Sequence, residues 1–324
     1  MAHHRLIVLL FAITPNLFGQ VVIPKDTSYT VWSTHRKLLK QYPNIVPVKP
    51  FQLSDVKEEH DVIYTTIETP IGKRELHADL FYPKEIKKNT PAVVLIHGGG
   101  WRTGNKSMNT PLAQQLASKG YVAVSVEYQL SPEAKYPAAV FNIKAAIRWL
   151  RANAKKYHID DKHIAVIGGS AGGQLASLIG ATNNDNSFEG SHGYQNFSSN
   201  VQAVIDLDGL LDFIHPDNLN IKRDKNSADV VWLEGPYDSI PEKWKSASAL
   251  YHADKNTPPF LFINSSQKRF SAGYQPMVEK LKSLSIEAEV IELKDAPHSY
   301  WLFHPWFDPM TNSIVTFLDR TFKQ

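Results

Sequence analysis

Residues 164 to 173 read Ile-Ala-Val-Ile-Gly-Gly-Ser-Ala-Gly-Gly, an apolar run that passes straight into Gly168-x-Ser170-x-Gly172. Few sequence features constrain a fold more tightly. The apolar run reads as a buried strand. Glycines flanking the serine permit a sharp strand-to-helix turn where neighbouring backbone leaves no room for a Cβ. A serine at that turn is lifted above the sheet, its hydroxyl placed to attack a carbonyl carbon. A glycine-rich turn can also pack tightly for its own sake or hold a phosphate, so the rest of the chain must decide.

Upstream, Pro91-Ala-Val-Val-Leu-Ile is a second buried-strand run, and it ends in His97-Gly98-Gly99-Gly100-Trp101. A Gly-rich loop after such a strand can aim backbone N–H groups at a developing oxyanion, joined by the N–H of the residue after the nucleophile. Gly99, Gly100 and Ala171 are the expected donors, while His97 precedes them and reads as a loop brace. Downstream, Glu287-Ala-Glu-Val-Ile-Glu-Leu reads as a last strand leading into Lys294-Asp-Ala-Pro-His298. A histidine on that loop can fold back over the sheet and take the serine proton, since imidazole titrates near neutrality. Of the chain's 13 histidines, His298 alone has this address.

Taken together and in this order, the motifs resemble the HGGG-bearing esterase branch of the α/β-hydrolase superfamily, over about residues 61–324. The resemblance continues in Val124-Ser-Val-Glu-Tyr-Gln-Leu-Ser-Pro-Glu-Ala-Lys-Tyr-Pro-Ala-Ala and in Ala145-Ala-Ile-Arg-Trp-Leu-Arg-Ala-Asn-Ala. It implies an α/β-hydrolase fold: a mostly parallel central sheet with helices on both faces and a lid-like insertion. It also implies ester hydrolysis through an acyl-serine, needing no metal or organic cofactor. The late segments Asn264-Ser-Ser-Gln-Lys-Arg-Phe and Pro297-His-Ser-Tyr-Trp-Leu-Phe-His-Pro-Trp-Phe are similar, more narrowly, to bacterial carbohydrate esterases of pectin and xylan breakdown.

One element departs from the superfamily pattern. Most members carry the acid that orients the histidine just after the next-to-last strand, here Pro259-Phe-Leu-Phe-Ile263. In this chain that position is occupied by Asn264, Ser265, Ser266, Gln267, Lys268 and Arg269, and the first carboxylate beyond is Glu279. Without an orienting acid the imidazole tautomer is uncontrolled and the rate falls by several powers of ten. A carboxylate is therefore expected elsewhere. Asp208 closes the preceding strand, Val201-Gln-Ala-Val-Ile-Asp-Leu-Asp208, and some lipases of the superfamily take their acid from that strand. Asp295, three residues before His298, is the second candidate. Asp206 shares the side-chain parity of Asp208 but lies deeper. An Asp-Gly turn at a strand end would account for Asp208 equally well.

Charge and composition narrow the class. A net charge of +3 with bases and acids interleaved gives no footprint for nucleic acid. At 324 residues and 43% hydrophobic content, one large α/β domain fits, because the motifs span most of the length. The first 20 residues read as a signal peptide: Arg5, the apolar stretch Leu6 to Ile13, then Pro15 and Gly19. That stretch is too short for a stable membrane span, and the absence of cysteine leaves packing alone to hold the chain. A periplasmic or secreted protein is the expectation.

The expected organisation is a signal peptide at 1–20, an N-terminal arm at 21–60 with a short helix near Thr34 to Gln41, and a catalytic domain at 61–324. An early hairpin is predicted over Thr65 to Tyr82. After it come strands at 92–96, 122–126 and 164–167, alternating with helices at 107–119, 138–154 and 171–180, then helices at 276–284 and 312–321. Residues 210–251, with Trp232 and Trp244, form an insertion expected to act as a lid, or else a peripheral ornament.

Substrate contacts are expected from Trp101 beside the oxyanion loop, from Trp301 after His298, and from Arg269, whose guanidinium can clamp a carboxylate such as that of a uronic acid. The expected substrate is an acetylated polysaccharide or oligosaccharide of the plant cell wall, pectin first. A feruloyl or general short-chain carboxylesterase would share every catalytic residue, and a hydrolase-like protein that binds glycans without turnover is the alternative from another class. Nothing in the sequence speaks to oligomeric state.

Overall fold

The computed structural model describes residues 28–69, 72–86 and 89–322, so the expected signal peptide lies outside the described residues. Strand β4 (Thr90–Ile96) shows how the core is built. Its Ala92, Val94 and Ile96 face one apolar cluster and its Val93 and Leu95 another, as the two-residue period of a strand requires. A strand apolar on both sides must be covered on both sides, which parallel sheets achieve with crossover helices.

Eight strands form the sheet in the order β2 (Val56–Thr69), β3 (Gly72–Pro83), β5 (Val122–Val126), β4, β6 (Ile159–Gly169), β7 (Ala203–Leu207), β8 (Phe260–Ser265) and β9 (Ala288–Leu293). Strand β3 runs antiparallel to both β2 and β5, and every other pairing is parallel. One face is covered by α2 (Thr110–Ser118) and α11 (Phe307–Phe322), through Leu112, Leu116, Ile314, Phe317 and Leu318. The other is covered by α3 (Ala138–Ala152), the short α4 (Ala154–Tyr157), α5 (Ala171–Ala181) and α10 (Tyr274–Ser283), through Val140, Ile143, Tyr157, Leu175, Leu178 and Met277. This is the α/β-hydrolase architecture that the motifs implied.

The arm is more closely integrated than a linker. Helix α1 spans Val31–Leu38, earlier than its expected position, because Thr30 and Ser33 cap each other reciprocally and set the start. Strand β1 (Val46–Pro47) then pairs with β10 (Phe303–His304), and the Val48 N–H donates to the Leu302 carbonyl at 2.9 Å. The boundary expected at residue 61 falls inside β2, which begins at Val56.

The insertion folds into four short helices, α6 (Pro216–Leu219), α7 (Ala228–Leu233), α8 (Pro241–Ser246) and α9 (Ala249–His252). Trp232 and Trp244 are fully buried, and the Trp232 ring stacks on Trp101 with centroids 4.7 Å apart. No helix among the described residues is long and apolar enough to cross a membrane.

Candidate active site

Ser170 stands between β6 and α5 with φ 57° and ψ −121°, a conformation that costs an L-residue roughly 1–3 kcal/mol and persists only where the surroundings impose it. The surroundings do so by crowding. A Cβ on Gly168 would lie 2.1 Å from the Gly172 carbonyl oxygen, and one on Gly172 would lie 2.2 Å from the Ile96 carbonyl oxygen of β4. Helix α5 can approach the sheet only because both positions lack a side chain. The Ser170 N–H donates to the Leu207 carbonyl at 2.8 Å, tying the turn to the end of β7.

His298 reaches the serine from the loop after β9. Its Nε2 is 2.9 Å from Ser170 Oγ, and its Nδ1 is 3.0 Å from Asp208 Oδ2. Asp208 follows β7 directly with φ 52°, and its second oxygen accepts the Ser265 N–H at 2.6 Å. The aspartate side chain is 0% exposed and the histidine side chain 16%, so the carboxylate is sealed from solvent while part of the imidazole stays accessible. Asp295 is exposed instead, and its charge acts on Tyr42, whose hydroxyl it helps push up behind the larger effect of burial. Asp206 accepts from the Ser177 hydroxyl and the Gly209 N–H deep under the turn. Burial pushes its carboxyl up to about 7, with the Asp208 charge adding to the effect.

Two rings fix the imidazole plane. Phe270 lies flat on it with centroids 3.4 Å apart, and Trp301 meets it edge-on at 5.3 Å. Phe270 escaped the sequence reading, and the only signal was its place next to Arg269 in the loop after β8, where an acid was sought.

Gly99 and Gly100 turn with φ 122° and 59°, and the Gly99 carbonyl accepts the N–H groups of Arg102 and Thr103. Their own N–H groups and that of Ala171 have no protein acceptor among the described residues. The loop presses on the serine turn, since a Cβ at Gly98 would lie 2.7 Å from the Gly169 carbonyl oxygen. His97 braces it from below. Its Nδ1 is 2.8 Å from the Gly98 carbonyl, its ring stacks on Tyr128 at 4.4 Å, and burial pulls its pKa down to about 4, keeping it neutral.

A cleft opens at Ser170, walled by Gly100, Trp101, Ala171, Phe270 and the insertion. Trp101 is held there by its Nε1–H, which donates to Gln174 Oε1 at 2.8 Å, and by its stack on Trp232. Arg269 lines the cleft with its guanidinium 5.2 Å from the Phe270 ring centre and no carboxylate partner among the described residues. Partial burial pulls its pKa down. The expectation for Trp301 is corrected: it does not line this cleft but packs under the serine turn, where a Cβ on Gly169 would come within 2.4 Å of its ring. Lys222, Arg223 and Asp229 of the insertion also line the cleft and were not foreseen, because the insertion carries no motif. No group of three or more His, Cys, Asp or Glu among the described residues is arranged to hold a metal ion.

A serine on a strained turn, hydrogen-bonded to a histidine that is hydrogen-bonded to a buried aspartate on a mostly parallel sheet, defines an α/β-hydrolase. Within that class the chain belongs to the BD-FAE family, whose sequence profile matches residues 78–272. It is 29% identical over 241 residues to esterase LipC of Mycobacterium tuberculosis, covering 73% of this chain and 60% of that protein. It is likewise 29% identical over 239 residues to the probable carboxylic ester hydrolase LipM of the same organism, covering 70% and 54%. The chain thus spans little more than half the length of these relatives.

Among solved structures, a truncated carbohydrate esterase from gut microbiota superposes with a TM-score of 0.72 at 26% identity, covering 84% of this chain and 100% of that one. A bifunctional GH43-CE protein of Bacteroides eggerthii gives 0.72 at 28% identity, covering 84% of this chain and 39% of that one.

Proposed function

We propose that the protein is a serine carboxylesterase that removes acetyl groups from plant cell-wall carbohydrate, pectin first. The observation that carries this reading is the continuous chain from Ser170 Oγ through His298 to Asp208, ending at a cleft beside three unengaged N–H groups. His298 Nε2 takes the Ser170 proton as Oγ adds to the ester carbonyl, and the oxyanion is received by the N–H groups of Gly99, Gly100 and Ala171. The tetrahedral adduct collapses, the sugar oxygen leaves with the proton from the imidazolium, and acetyl-Ser170 remains. Water then adds to the acyl carbon with His298 as base, and acetate departs. Asp208 holds the Nδ1–H, which keeps the free electron pair on Nε2 and stabilises the imidazolium.

The esterase reading is supported by the named relatives, and the carbohydrate reading by the two structural neighbours above. Arg269 in the cleft supports a uronic acid next to the ester. A feruloyl ester is the second reading, because Trp101 and Phe270 line the cleft with rings on which an aryl acyl group can stack. A purely glycan-binding role drew its case from the empty acid position after β8, and Asp208 at 3.0 Å from His298 supports turnover instead. Export to the periplasm or medium belongs to the same proposal, since polymers of this kind are met outside the cell.

Release of acetate from acetylated pectin and acetylated xylan, with ferulate release and p-nitrophenyl acetate beside them, tests the reading. Pectin is expected to be the faster polymer, with Ser170→Ala losing at least about a thousandfold in kcat. Hydrolysis that survives Ser170→Ala, or an inert wild type, sinks it.

A further inference from the structure

We infer that the insertion completes an anion subsite beside Ser170: Lys222 and Arg223 from the insertion and Arg269 from the loop after β8 bind the carboxylates of an acidic polysaccharide on either side of the acylated sugar. The assignment builds on the esterase reading, and it names what that enzyme grips.

Three cations line the cleft against Asp229, apart from the Asp208 engaged by His298. Asp229 is taken by Arg223, whose Nε lies 2.6 Å from its Oδ2. Lys222 and Arg269 are both exposed and have no carboxylate at ion-pair distance among the described residues, although the Asp229 charge also acts on Arg269. With three cations set against Asp229, the cleft that opens at Ser170 carries an excess of positive charge. A neutral xylan or a ferulate offers them nothing, whereas a polyuronate presents a carboxylate on every sugar.

Arg223 is built as a fixed donor. Its Nη1 donates to the carbonyls of Asn218, Leu219 and Ile221 at 2.8, 3.2 and 3.0 Å, which clamps the guanidinium to the insertion. Its Nη2 is buried with no acceptor. That nitrogen is a charged donor whose hydrogen-bonding capacity the protein itself leaves unused. Arg223 also borders a second, open groove on the outer side of the insertion, where Lys135 and Lys225 stand. The acids there are engaged: Glu234 with Lys243, and Asp224 with the Asn226 N–H and the Ser227 hydroxyl. Arg223, which lines both cavities, thus links the cleft at Ser170 to the groove over the insertion, the direction in which a polymer with repeated carboxylates would extend.

Calorimetric titration of the full chain with trigalacturonate and with its fully methyl-esterified form tests the subsite without relying on turnover. The free acid is expected to bind at least about tenfold tighter, and that preference is expected to shrink about threefold or more in Lys222→Gln, in Arg269→Gln and at high salt, as exposed charge pairs do. Both substitutions lie at exposed side chains, and a thermal melt of each variant checks that the fold persists. Equal affinity for the two forms, or a preference that both variants retain, overturns the assignment. The two readings fail separately. Tight acid-selective binding without acetate release keeps the subsite and removes the esterase. Ester hydrolysis without acid preference keeps the esterase and removes the subsite.

Discussion

Asp208 and Asp295 pose the sharpest residue-level question, because either could stand behind His298 on sequence grounds and only one touches it. Asn at 208 preserves shape but removes the charge and invites the wrong imidazole tautomer, so Asp208→Asn is expected to lower kcat on p-nitrophenyl acetate by about a thousandfold to ten-thousandfold. Asp295→Asn, at an exposed side chain, is expected to change kcat less than about threefold. Steady-state kinetics on both variants checks this, and a large loss in the second alone reverses the assignment. Asp206 makes a pH prediction. Its carboxyl is near 3.8 in the unfolded chain and pushed up to about 7 when buried. Below the lower value both states hold the proton. Between the two, the unfolded chain releases it and the native protein keeps it, so stability drains away as pH rises from about 4 to about 7. Asp206→Asn stays neutral throughout, and its melting temperature relative to wild type is expected to climb across that window. A difference that stays flat with pH refutes the burial argument.

Among the elements, the serine turn and the insertion contrast in how they are encoded. Gly168 and Gly172 announce their turn because backbone sterics act over a few residues. The insertion shows only two tryptophans, and its role emerges from the Trp232 ring lying parallel to Trp101, 8° apart, with Tyr136 edge-on at 5.1 Å. That contact makes it a wall of the cleft. Trp232→Ala is expected to cost about 3–5 kcal/mol of stability by leaving a cavity. It also frees Trp101, so kcat/KM on a carbohydrate ester is expected to fall along with the melting temperature. Thermal melts paired with kinetics decide, and a destabilised variant with full kcat/KM would return the insertion to a peripheral role.

At the scale of the whole molecule, the arm and the histidine loop form one unit. Tyr29 places its hydroxyl 3.2 Å from Ser299 Oγ, next to the base, and β1 covers β10 just beyond it. Phe303, 0% exposed, would meet water without that cover. A chain beginning at Phe51 is therefore expected to melt several degrees lower than the full chain, since each kcal/mol lost is worth roughly 2–4 °C at this size, and to hydrolyse p-nitrophenyl acetate more slowly as the His298 loop loosens. A truncated chain that melts and turns over like the full one would make the arm before Phe51 dispensable to the fold and the site.

The sequence by itself determined the alternation of strands and helices through most of the catalytic domain, the serine turn, the glycine loop and the address of His298, because periodicity and glycine sterics act between near neighbours. Even the acid was narrowed to a few aspartates. Tertiary structure alone chose among them, since Asp208 and His298 are 90 residues apart and Ser170 and His298 are 128 apart. It also moved Trp301 from the cleft to the floor beneath the serine, and it left Lys222 and Arg269 outside any ion pair while pairing Arg223 with Asp229. Contacts between distant parts of the chain carry no local pattern, so the charge of the cleft exists only once the chain has packed.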